Sequence, residues 1–158
     1  MSLKGRTPAL IVGLTLLATL CFSQIAFAGF QQDYDKAVES FRACKAPADY
    51  RKTAEMFGSL ITRKDAGALL GNCLYWQAEC WYGLKEFEKA LNAFEKALLL
   101  PNSNKEEACR YKVAVCYAKL GWHDTARWEL TRFLRDYPSG SLTSSAKREL
   151  DKLPAAGR

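Results

Sequence analysis

Residues 78–101, AECWYGLKEFEKALNAFEKALLLP, set apolar and small side chains at three- and four-residue intervals: Ala78, Trp81 and Leu84, then Phe87, Ala90, Leu91, Phe94 and Leu98. That spacing is one face of an α-helix, broken once and resumed. Pro101 stops the second run, because proline has no amide hydrogen and clashes with the preceding turn. Two amphipathic helices with a tight turn between them are therefore expected, near 66–83 and 86–99.

Shifting residues 73–101 by 36 positions superposes them on 109–137. Identities fall at Cys73/Cys109, Tyr75/Tyr111, Ala78/Ala114, Cys80/Cys116, Leu84/Leu120, Ala90/Ala126 and Leu98/Leu134. A two-helix unit recurring at a fixed period marks a stacked helical repeat. Outward from this pair the same periodicity predicts helices near 31–44, 48–63, 104–119, 123–136 and 141–152, and nothing after residue 28 alternates with the period of a strand. Asp49 is expected to cap the second helix, Ser103 or Asn104 the fifth, and Ser139 or Ser141 the last. Gly121 suits the left-handed residue that ends the fifth.

The run 78–101, and AVCYAKLGWHDTARWELTRFLRDYPSG at 114–140, resemble tetratricopeptide repeats (TPR). The resemblance is good over about 66–138. It implies an all-α right-handed superhelix of antiparallel helix pairs, about three repeats with 141–152 as a capping helix. It assigns Ala78 with Ala90, and Ala114 with Ala126, to close helix crossings, and Pro101 and Pro138 to repeat ends. Upstream the pattern degrades, with Thr53 standing where alanine is usual. The repeat ends also resemble those of exported envelope TPR proteins of Gram-negative bacteria.

The chain has 158 residues, 49% hydrophobic and 25% charged, enough for one domain with a real core. Lys4 and Arg6 precede an uncharged stretch through Ala28 that ends Ala26-Phe27-Ala28, the pattern of a cleavable export signal over 1–28. The alternative is an anchor retained over 7–28, long enough to span a bilayer. Cys21 is a poor acylation site because bulky Leu20 precedes it. The globular domain is expected at 29–152 with a tail at 153–158, in a periplasmic or other exported setting. Without the leader the formal charge falls from +6 to +4, too dispersed for a nucleic-acid stripe.

Five cysteines lie beyond the leader, at 44, 73, 80, 109 and 116. Positions seven apart on one helix are about 10.5 Å apart along its axis, and a disulfide needs Cα atoms within about 7 Å. Cys73–Cys80 and Cys109–Cys116 therefore cannot bridge, and equivalent cysteines in successive repeats, Cys73–Cys109 and Cys80–Cys116, related by a stacking translation of about 8–10 Å and pointing the same way, fit poorly. A bridge from Cys44 to Cys73 or Cys80 stays open. No metal-ligand turn spacing occurs and His123 is the only histidine. The expected role is packing at repeat seams; a redox or metal protein built on these cysteines is the rival.

No nucleophile–base pair or phosphate-binding glycine loop is present, so a protein without catalysis or cofactor is expected, binding a protein or peptide partner. In TPR proteins the first helix of each pair lines the concave surface that receives peptides. Here that stripe reads Asn72, Tyr75, Trp76, Glu79 and Tyr82 on one helix. On the next it reads Ala108, Tyr111, Lys112, Val115 and Lys119. Trp128, on a second helix, either makes an exposed contact on the convex side or folds onto the terminal helix, and the second is expected.

Overall fold

In the computed structural model, residues 28–101 and 104–155 are described. The export-signal or anchor reading of 1–28 lies outside them apart from Ala28, as do Ser103 and the last three residues of the tail. Every regular element among the described residues is helical. The chain is helical over 28–43 (α1), then forms α2 (Pro47–Ile61), a 3₁₀ turn (Gly67–Leu69), α3 (Leu70–Gly83) and α4 (Phe87–Leu98). It continues through α5 (Glu106–Lys119), α6 (His123–Asp136) and α7 (Thr143–Lys152). Each helix packs on its neighbours in sequence, giving a TPR-like stack of helix pairs closed by α7.

The core is three linked clusters that explain the repeated residues. Cys73 and Cys80 of α3 point back into the first pair, among Phe30, Ala37, Ala54 and Phe57. Cys109 and Cys116 of α5 do the same to the second pair, among Ala78, Ala90, Phe94 and Ala97. Ala114 turns the other way, toward Leu130 and Phe133 of its own partner helix and Ala146 of α7. α3 and α5 thus each carry a sulfur stripe facing the preceding pair and an alanine that admits the second helix of the same pair. Alanines 78, 90, 114 and 126 are all fully buried, as close crossings require.

Asp49 caps α2 as expected, though from inside the helix, while α5 and α7 begin differently from expectation. α2 begins at Pro47, suited to a first turn that needs no amide hydrogen. Asp49 sits inside that turn and its carboxylate accepts from the backbone amides of Lys45 (3.0 Å) and Ala46 (2.9 Å). α5 and α7 follow Lys105 and Leu142, neither of which makes a side-chain cap. Glu107 of α5 instead accepts from the Leu142 amide at 3.1 Å. A Cβ on Gly140 would come 2.4 Å from that carboxylate, so a larger residue there would make the Glu107 side chain shift from this position. Thr53 is fully buried beside the small core residue Ala54, and its hydroxyl pairs with Ser40 Oγ at 2.7 Å. The irregular first unit is therefore held by a satisfied polar pair.

The turns after α3 and α5 share one geometry. Glu86 N donates to Trp81 O at 2.9 Å and Trp122 N to Tyr117 O at 3.0 Å, closing each helix through a left-handed residue. After α5 that residue is Gly121 at φ 82°, as expected; after α3 it is Lys85 at φ 61°. A side chain there costs about 1–2 kcal/mol. Replacing Lys85 with glycine is therefore expected to stabilise the fold by about 1 kcal/mol, raising Tm by a few degrees, while Gly121→Ala destabilises by a similar amount. Thermal unfolding followed by circular dichroism decides; a Lys85→Gly variant that melts lower overturns the assignment.

Candidate peptide-binding face

Among the expected contact residues on α3, Tyr75 sets its ring 5.1 Å from Trp76 and 5.8 Å from Phe94 of the second helix of its pair. Trp76 leans on Phe41 (5.0 Å) and donates its indole hydrogen to the Tyr34 hydroxyl at 2.9 Å, joining α3 to α1. Tyr82 packs 5.4 Å from Phe87. Tyr111 repeats the Tyr75 arrangement, 6.0 Å from Phe133 of α6. Burial pushes the Tyr75 phenol well above its ordinary range, helped by the Glu79 carboxylate one turn on, and pushes Tyr82 up to about 12. These rings stay neutral hydrogen-bonding surfaces at physiological pH.

Glu79 and Lys112 join α3 to α5: Lys112 Nζ donates to Glu79 Oε2 at 2.8 Å and lies 2.8 Å from Oε1. The same ammonium sits 4.4 Å from the centre of the Tyr82 ring. The side chains are 13% and 21% exposed, a half-dry pair under an aromatic roof. Lys119 is exposed, whereas Asn72 and Val115 are buried, at 8% and 4% exposure, so they back the face from beneath. Ala108 is partly buried.

Spacing alone missed Lys105, whose ammonium lies 5.4 Å from the centres of both Tyr75 and Trp76. Its seven-residue separation from Lys112 was the available signal. It also missed Tyr34, which needed the contact between α1 and α3. Trp128 corrects its expected packing: it is 59% exposed, with the Arg132 guanidinium 5.4 Å from its ring centre. An open groove of about 560 Å³ lies between α2, α3 and α4, walled by Ile61, Leu74, Trp81 and Ala93 and edged by Lys89 and Lys96.

Residues 72–103 match the family model of the tetratricopeptide repeat. The match begins inside α3, runs through α4 and ends after Pro101. It covers the unit carrying Tyr75, Glu79 and Tyr82. Such repeats bind protein partners and are typically non-catalytic. No curated protein matches the chain significantly.

All five described cysteines are free thiols, so no bridge joins Cys44 to Cys73 or Cys80. Cys73, Cys80, Cys109 and Cys116 have no solvent exposure, and burial pushes each thiol up to about 12. Redox or metal duty requires the reverse, an accessible thiol with a lowered pKa. Among the described residues no group of three or more histidine, cysteine or carboxylate side chains is gathered as a metal site. Cys44 is only partly buried, and its thiol donates to Ser40 O at 3.2 Å.

Two outcomes follow from the raised thiols. A neutral maleimide should label Cys44 in native protein, with the other four reacting only after denaturation; ready native labelling of Cys73 or Cys116, read by peptide mass spectrometry, overturns the seam role. The buried neutral thiol also stabilises the fold below the unfolded thiol pKa of about 8.5. That stability is lost as pH rises toward the folded value, so denaturant midpoints should fall steadily above about pH 9. Replacing a seam cysteine with alanine should reduce the slope.

Proposed function

We propose that the protein is a non-catalytic TPR adaptor that presents the first helices of its pairs, α3 and α5 above all, to a peptide or protein partner in the cell envelope. The observation that carries this reading is the band of partly buried tyrosines and charged groups across those helices: Tyr75, Trp76, Glu79 and Tyr82 on α3, and Tyr111, Lys112 and Lys119 on α5. Rigid amphipathic rings give contact area at low entropic cost, which is why tyrosine and tryptophan are frequent binding hot spots. Residues 29–152 form the binding domain in this reading.

The exported setting rests on the leader pattern at 1–28. Four buried, high-pKa thiols are compatible with an oxidising compartment because thiolate, the reactive form, is suppressed. N-terminal sequencing of the mature protein checks the leader: a start at Gly29 supports cleavage, and a retained segment supports the anchored form.

A photo-crosslinking residue at position 111 should capture a partner in cells, whereas the same residue at position 128, exposed on α6, should not. Tyr75→Ala/Tyr111→Ala should abolish the capture from a crosslinker placed at position 119. Far-ultraviolet circular dichroism confirms that the variant is folded. Equal capture at 111 and 128, or capture that survives the double change in folded protein, overturns the choice of face.

A further inference from the structure

The bond that the leader pattern marks for cleavage joins Ala28 to Gly29, and both are helical residues of α1. The next residue, Phe30, is fully buried among Ala37, Ala54 and Phe57. Arg63, from the loop after α2, closes over it: the guanidinium stands 5.0 Å from the Phe30 ring centre and donates to Asp33 Oδ2 of α1 at 2.7 Å. Asp65 fixes that guanidinium from its own loop through bonds of 2.9 and 2.6 Å. One turn beyond Phe30, Tyr34 accepts the Trp76 indole hydrogen at 2.9 Å and sets its ring 6.3 Å from Phe57. The chain beside the marked bond is therefore tied to both α2 and α3.

A peptidase acts on chain that it can straighten, and it cuts a folded protein through states in which the segment has opened. A helix rises about 1.5 Å per residue and an extended strand about 3.3 Å. Drawing residues 28–32 out straight thus requires Phe30 to leave the core and Arg63 to release Asp33. Small residues at 26 and 28 suit the peptidase, whereas the large residue at 30 belongs to the fold. The two uses of this stretch exclude each other.

Resting on the leader reading above, we infer that the Ala28–Gly29 bond is cleavable only before α1 docks, and that a chain which folds first keeps its leader. A released domain beginning at Gly29 and a form held by residues 7–28 are then two products of one chain. The order of cleavage and folding partitions the chain between them.

The test exposes three substrates to a purified bacterial signal peptidase in detergent micelles: the folded full-length chain, the full-length Phe57→Asp chain, and a synthetic peptide of residues 4–36. Phe57→Asp places a charge in the core of the first pair and is chosen to prevent folding there, which circular dichroism checks. Mass spectrometry follows the products. The peptide and the Phe57→Asp chain should be cut after Ala28 at similar rates, and the folded chain at least tenfold more slowly. Arg63→Gln, which frees Asp33 without touching the junction, should be cut faster than the folded parent. Equal cutting of folded chain and peptide overturns the inference, as does a Phe57→Asp chain as resistant as its parent or an Arg63→Gln chain that gains nothing. A peptide left uncut after Ala28 removes the leader reading, and the inference with it; a peptide cut while the folded chain is cut equally fast removes the inference alone.

Discussion

The structure depends on the fit of each first helix between two neighbours at once. α3 buries Cys73 and Cys80 against the pair before it and Ala78 against its own partner, and α5 repeats this with Cys109, Cys116 and Ala114. An alanine at a crossing brings backbones close, and the seams are then filled by Phe57, Phe94, Leu130 and Phe133. Burying each of those large side chains contributes about 1.5–3 kcal/mol. Because the seam residues face the preceding unit, no pair can bury its apolar surface alone, which is why such units occur in stacks.

This division of labour also settles what the cysteines do. Sulfur at a seven-residue spacing suggests a site until the helix period is applied; then it marks one side of one helix. Serving as compact apolar packing, the thiols gain from staying protonated, and the same burial that stabilises the seam removes their nucleophilicity. Cys44 differs because it lies at the open end of the first unit, where Ser40 and Thr53 give it polar neighbours.

The helices were legible in the sequence because a 3.6-residue period survives any tertiary context, and the recurrence of Tyr75 and Tyr111 marked one shared side of α3 and α5. Features that depend on a second element were not legible. The entry to α7 is capped from α5 by Glu107, which no local sequence signals. Asn72 and Val115 lie at the margins of a stripe whose edges pass beneath neighbouring side chains. Trp128 stays in solvent because α7 packs through Ala146 against Leu130 and Phe133 rather than over the indole.

The Glu79–Lys112 pair ties this architecture to the exposed face. Two charges held in a half-dry place give up hydration that their attraction only partly restores, so the pair adds little stability for the volume it occupies. It does specify geometry: with Lys112 fixed over Tyr82 and bonded to Glu79, α5 cannot slide along α3 by a turn without stranding a carboxylate among aromatic rings. The register that aligns the cysteine seam below thereby seats Lys112 over Tyr82 above. Packing and presentation are thus set by the same spacing of seven on the two helices.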